Sequence, residues 1–338
     1  MSNNSVLPRV FIRLPMLATL ALLTAGTVAG PVHAQTLEKV SVRLDFLAAG
    51  YHSAMFLAEE RGYYREQGLD VDIQDGKGSL ITIQAVASGN DLIGLATAST
   101  IALAASKGVP IVAVAGIMQK SPESILMLKG SGIAKPKDVE GKRWGFIPGD
   151  SGARIFEAVA ALHKVDLGKV AKVQLSFATR NTSLLQGNVD FITAWKSPDS
   201  YKIAKQKPID PPILFSDVGV NVLGSSIFVT KDTAATRAKT IRAFLAATAR
   251  AYDEGQKDPA ALVDAVMKAR PSTDKSILAE EIKHLPEFTH TSNTAGRPFG
   301  WMAPQDWEQT RDILRDYFEL PASLRIADVY TNDLLPSK

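Results

Sequence analysis

The chain has 338 residues, 46% hydrophobic and 22% charged, with 38 Lys and Arg against 35 Asp and Glu, the make-up of an ordinary globular protein. So even a balance, with no polybasic run, argues against nucleic acid as a partner. The absence of cysteine excludes disulfides, iron–sulfur clusters, thiolate zinc sites and cysteine nucleophiles together.

The amino end reads as a leader. Arg9 and Arg13 form a basic region, Leu14–Leu23 is an apolar run, and Val32-His33-Ala34 is an A-x-A-like cleavage site. This predicts a secretory signal peptide over 1–34, cut after Ala34. The run is short for a membrane span of about 20 residues, and no Cys follows Ala34 to carry a lipid. A soluble, exported protein is expected, and what remains is long enough for two lobes.

From Val42 to Thr100 three strand–loop–helix units repeat. Val42–Phe46 alternates as a strand, Leu47–His52 breaks it, and Ser53 stands as N-cap before a helix over Ala54–Gln67 that Gly68 ends. Leu69–Gln74 is a second strand, Ser79 caps a helix through Ser88, and Leu92–Ala96 is a third strand before the helix opened by Thr97–Thr100. Strands alternating with helices predict βαβ units and a parallel sheet. Ligands of such sheets sit at the strand carboxyl ends, near helix N-termini, so loops 47–52, 75–79 and 97–100 should edge a pocket.

Val109–Gly116 follows as a strand, then a polar Gln119–Ser124 segment, the first expected crossing between lobes, then the strand Ile125–Leu128. The block from Gly132 to Phe146 holds a helical turn, a Gly break and a strand that empties into Ile147–Arg154, and Asp150 or Ser151 can cap a helix running to His163.

On these residues the chain resembles a known family. The Ile133–Lys142 block with its Pro136, Asp138, Val139, Gly141 and Lys142, the Ala58–Val71 segment ending Gly68-Leu69-Asp70-Val71, and Ala87-Ser88-Gly89 with Asp91–Gly94 are similar to solute-binding proteins of ABC importers. Within them it resembles the group handling sulfonates, taurine, nitrate and the pyrimidine precursor of thiamine. The resemblance spans nearly the whole chain after the leader and weakens after about Arg270. It implies a two-lobed α/β periplasmic binding protein of type II. Lobe one should be 36–119 with 223–338, carrying C-terminal helices, and lobe two 120–222, with two strands crossing between them. Expected strands in the second half are Val173–Phe177, Asp190–Trp195, Ile213–Phe215 and Ser225–Thr230. Helices are expected over Asn181–Gln186, Ser197–Lys205, Ala234–Glu254, Pro259–Lys268, Asp274–Leu285 and Pro304–Phe318.

The candidate ligand contacts are Tyr51, His52, Gly78, Ser79, Thr97, Ser99, Glu123, Asp150, Ser151, Arg154 and Trp195. Ser79, Thr97, Ser99, Asp150 and Ser151 would cap helices with or without a ligand, and Trp195 would stack on a planar one or fill the core. Arg154, one turn into a helix, would neutralise a carboxylate or sulfonate. Glu123 would accept from an amine or amidine, or sit solvated in the hinge. Lys77 stands where the family favours small residues. Five scattered His without H-E-x-x-H spacing give no metal site, and no cofactor is expected.

The resemblance implies a monomeric periplasmic receptor that closes on a small organic or inorganic anion (sulfonate, nitrate or carboxylate) by hinge motion near 118–124 and 215–225. It would then dock on a permease with its ATPase subunits. The alternative is the same fold holding a pyrimidine precursor or an aromatic acid. More remote is a pyrimidine-precursor synthase: that branch uses a cysteine-rich iron motif and a Lys-bound pyridoxal phosphate, and this chain has no Cys.

Overall fold

The computed structural model describes residues 36–148 and 150–336, with residues 1, 2, 7, 10 and 11 at the amino end. The leader's apolar run and the cleavage position after Ala34 lie outside the described residues. From Thr36 onward the chain forms one compact unit.

Among the described residues ten strands make two sheets. They are β1 (Glu38–Arg43), β2 (Leu69–Gln74), β3 (Ile93–Thr97), β4 (Ile111–Gly116), β5 (Glu123–Met127), β6 (Arg143–Phe146), β7 (Ala171–Gln174), β8 (Phe191–Trp195), β9 (Ile213–Leu214) and β10 (Ser225–Thr230). The first sheet runs β2-β1-β3-β10-β4 and the second β7-β6-β8-β5-β9. In each, three parallel strands are followed by an antiparallel strand that has just emerged from a crossing: β10 beside β3, and β5 beside β8. The two sheets therefore share one plan.

The strands form where inward and outward residues alternate. In β2, Leu69, Val71 and Ile73 are buried while Asp70 and Asp72 are exposed. Helices Ser53–Glu60 and Ala238–Lys257 cover the first sheet, where Tyr64 stacks on Phe244 with ring centroids 5.1 Å apart. Trp144 anchors the second sheet, meeting Phe156 edge-on at 4.8 Å. Helix Pro304–Phe318 lies against both Ala98–Ser106 and Ser151–Leu162, touching helices of both sheets.

Some expected boundaries shift. β1 starts four residues earlier than its alternation suggested, because Val40 and Val42 fill the inward positions and Phe46 is exposed. The helix expected over 54–67 breaks at Gly62, whose φ of +74° continues no helix, giving Ser53–Glu60 and Tyr63–Glu66. Glu123 begins β5; it is not a solvated hinge residue. Asn181–Gln186 is Arg180–Leu185, and the helix expected from Ser197 to Lys205 is a π-turn over Lys196–Ser200, kinked at Ser197, running into an α-helix over Tyr201–Ala204.

The crossing segments lie side by side. Gly224 N–H donates to Met118 O at 3.0 Å. Asn221 pins them, accepting from Ser121 N–H at 3.0 Å and donating to Gln119 O at 3.1 Å.

Candidate functional site

The carboxyl ends of β1 and β3, with the start of β10, bring the first half of the site together. Asp45 follows β1 and is 4% exposed. Its Oδ1 accepts from the Tyr51 hydroxyl and from His52 Nε2, both at 2.9 Å, and its Oδ2 accepts from Ser225 Oγ at 2.6 Å. Ala49 N–H donates to His52 Nδ1 at 3.1 Å, so the ring proton sits on Nε2 and points at Asp45. Burial pushes the Asp45 carboxyl up, but the bonds from His52, Ser225 and Tyr51 outweigh it and hold the group below the usual carboxylate range. Burial, with Asp45 beside it, keeps the Tyr51 phenol well above its ordinary value. Glu281 closes this half from outside by accepting Gly50 N–H at 2.6 Å, and burial pushes its carboxyl up to about 7.

The neighbouring loops follow. Gly78 has a φ of +118° that only glycine adopts comfortably, and its N–H donates to Asp45 O at 2.8 Å. Gly78, not Ser79, holds the N-cap position, and Ser79 Oγ accepts from Thr97 N–H at 3.2 Å. Thr97 does cap its helix, accepting from Thr100 N–H, and its Oγ1 lies 3.1 Å from the buried Ser99 hydroxyl. Ser53, expected as a cap, is already the first helical residue and donates to Gly50 O at 2.6 Å.

The second half gathers at β5, β8 and the start of helix Ser151–Leu162. Glu123 and Trp195 are paired in register across β5 and β8. Glu123 is 3% exposed; its Oε1 accepts from Ser151 Oγ and from Trp195 Nε1, each at 3.0 Å, while its Oε2 has no partner. Burial, reinforced by the nearby Asp150, pushes this carboxyl up to about 8 against the bonds from Ser151 and Trp195. A Cβ on Gly152 would stand 2.5 Å from Oε2, so any side chain there would force the end of the acid to shift. Burial also raises Asp150, opposed by Arg180. Arg180, itself buried, reaches Asp199 at 2.5 Å and stands 3.9 Å from Asp150, with its Nε unpartnered.

Thr97, Ser99, Glu123, Ser151 and Trp195 line one cavity between the two sheets, of about 10 Å³. That is room for about one water-sized sphere. Tyr51 lies at its rim, 6.0 Å from the Trp195 ring. A groove of about 610 Å³ along Tyr63, Arg250 and Glu254 takes no residue from a strand end and is occupied by an ion pair network.

Three expectations are corrected here. Arg154 is exposed and lies over the Phe318 ring at 5.3 Å, because the buried stripe of its helix passes through Gly152, Ile155, Phe156 and Val159. His52 is fully buried and committed to Asp45 and Ala49. Asp150 occupies the N-cap position without a capping side-chain bond, and Ser151, one residue inside, donates to Glu123 instead. Sequence reasoning missed Asp45, Arg180, Asp199, Ser225 and Glu281. Arg180 had one readable signal, a cation in the first turn of a helix, where the dipole disfavours it unless acids pair with it.

Two sheets of one plan, joined by two crossings with polar side chains gathered between their facing ends, define the α/β periplasmic-binding-protein fold. Residues 49–262 match the family described as NMT1/THI5 like, and the chain belongs to it. It is 23% identical to a formylaminopyrimidine-binding protein of Halalkalibacterium halodurans, over 85% of this chain and 88% of that one. It is 22% identical to a 4-amino-5-hydroxymethyl-2-methylpyrimidine phosphate synthase of Legionella pneumophila, over 88% and 93%. The periplasmic aliphatic sulphonate binding protein SsuA of Escherichia coli superposes with a TM-score of 0.69 at 17% identity, covering 89% of this chain and 94% of that one.

Proposed function

We propose that this chain is the extracytoplasmic substrate-binding component of an ABC importer. Lobe one, 36–119 with 223–338, and lobe two, 120–222, would close over a small molecule, and the closed form would engage a membrane permease. The observation that carries this is the cavity whose polar lining comes from facing edges of two separate sheets, Thr97 and Ser99 from one, Glu123, Ser151 and Trp195 from the other. A ligand touching both edges stabilises the closed arrangement by its differential contacts.

Two ligand classes have support. Hydroxyls and helix starts at Ser79, Ala98 and Ser151 suit an anion. Trp195, Tyr51 and Glu123 suit a planar heterocycle, the class named by the Halalkalibacterium relative. A non-catalytic role is favoured by the absence of Cys and by the leader-like amino end, which favours a periplasmic location. The test is a thermal-shift screen of sulfonates, nitrate, aromatic acids and aminopyrimidines, followed by scattering of the best binder's complex. Stabilisation with a smaller radius of gyration is expected. Chemical turnover of the bound molecule, lost on substitution of a cleft residue, would contradict it.

A further inference from the structure

Resting on the receptor reading, we infer that the seam between helix Lys275–His284 with its following turn Pro286–Thr289 and the segment 196–205 is a releasable ionic latch. It sets how far the two halves of the molecule stand closed before any ligand arrives.

The make-up of the seam is the first argument. On one side, Leu278 and Ile282 turn into the core of the first sheet. On the other, Ile203 turns away into a separate cluster with Leu126 and Leu184 on the second. Polar groups are left to meet between them. Lys196 pairs with Glu287, Lys205 with Asp274 at 2.8 Å, and the Tyr201 ring stacks on His284 with centroids 5.7 Å apart. The contact made by helix Pro304–Phe318 is of another kind. Its Trp307, Leu314 and Phe318 share one apolar cluster with Ile101 from the first half and Phe156 from the second. Parting that cluster would expose apolar surface to water. Parting the seam returns charged groups to water and gives the Tyr201 hydroxyl, buried there without a partner, something to bond.

Magnitude supports a latch over a permanent weld. Exposed ion pairs are individually weak and fade with salt, so they contribute little to keeping the chain folded. An equilibrium between two arrangements whose minor state is populated at about 0.1–10% is moved by contacts of that size.

The seam is also tied to the cleft from both sides. Lys196 directly follows Trp195 of the cavity wall, and its N–H donates to Pro122 O at 2.7 Å, beside Glu123. From the facing helix, Glu281 accepts Gly50 N–H at 2.6 Å, next to Tyr51 at the cavity rim. At its far end the turn reaches a crossing segment, where Phe288 O accepts from Gln119 N–H at 2.7 Å and Lys120 N–H at 3.0 Å. Opening the seam therefore pulls Trp195 and Tyr51 apart, and on the receptor reading it is this flank that admits a molecule to a cavity of about 10 Å³.

The test needs no ligand. Because the sequence has no cysteine, Gln206→Cys with Ser272→Cys, both exposed, places a pair of spin labels across the seam. At about 0.01 M salt the wild-type background should give one short distance. At about 1 M salt a distance longer by more than about 2 Å should gain about threefold or more in population. Lys196→Glu with Lys205→Glu should show the longer distance already at low salt, and adding Glu287→Lys should draw it back. Scattering from the unlabelled, unsubstituted protein over the same salt range should give a radius of gyration that grows in step, which keeps the test independent of any variant's folding. One unchanged distance in the reversed variant and at high salt would overturn the latch and leave the receptor reading standing. A seam that opens with salt in a protein that binds none of the sulfonates, nitrate, aromatic acids or aminopyrimidines would remove the receptor reading and leave the latch.

Discussion

The two halves of the cleft have the same scaffold and opposite polar economies. On the first sheet, Asp45 is buried with His52, Tyr51 and Ser225 all bonded to it, and among the described residues none of these four has an orphaned buried atom. On the second, Glu123 Oε2, Arg180 Nε and Asn181 Oδ1 are buried without partners. The first half is a finished structural knot that fixes the 45–52 loop against the start of β10. The second carries unspent hydrogen-bonding capacity, and this is what favours placing the proposed ligand contacts there.

The largest effect should come from untying the finished half. Asp45→Ala leaves three buried donors facing an empty site, and about 3–5 kcal/mol of unfolding free energy should be lost in urea titrations. A loss under about 1 kcal/mol would show that the knot is not structural. Ser79→Ala removes the acceptor of Thr97 N–H without touching a cap, because Gly78 holds that position. It should cost about 1–2 kcal/mol in the same assay.

Next comes Gly152→Ala, which pushes a methyl into Glu123 Oε2 while leaving the Asp45 knot untouched. Ligand affinity should fall about 10-fold or more by calorimetry, with a melting temperature near wild type. Equal losses of affinity and fold would blur the division between the halves. The smallest effect belongs to Arg154→Ala. Its exposed stacking on Phe318 predicts a stability change within about 0.5–1 kcal/mol and unchanged binding of any ligand, charged or neutral.

Much of the scaffold was legible in the residues. Alternation placed β2 at Leu69–Gln74 and β10 at Ser225–Thr230, and Pro304 marked the last long helix, which ends at Phe318. What escaped was of two kinds. Helix starts carry a one-residue ambiguity when Gly-Ser or Asp-Ser stands there, so Ser79 read as a cap although Gly78 holds that position, and Asp150 and Ser151 stayed alternatives until the fold put Asp150 at the cap position. The other kind is long-range pairing. Asp45 meets Ser225 across 180 residues and Glu281 meets Gly50 across 231, and no local pattern announces such bonds. Arg154 and Arg180 illustrate both: each stands in the first turn of a helix, but only the burial phase and the partners of the fold tell that Arg154 is exposed over Phe318 while Arg180 is buried against Asp199.

The division between a satisfied and an unsatisfied half is tested most directly by the pH dependence of unfolding in the ligand-free protein, wild type against Glu123→Gln. A carboxyl whose folded pKa of about 8 exceeds its ordinary 4.5 binds its proton more tightly in the folded state. Its stabilising contribution is therefore full below pH 4.5 and lost as pH rises toward 8. Glu281 adds a slope of the same sign in both proteins, so the difference between them isolates Glu123. The prediction is that wild type loses at least about 1 kcal/mol relative to Glu123→Gln between pH 5 and 8. Parallel profiles for the two proteins would mean that Glu123 is already satisfied, and would contradict the account.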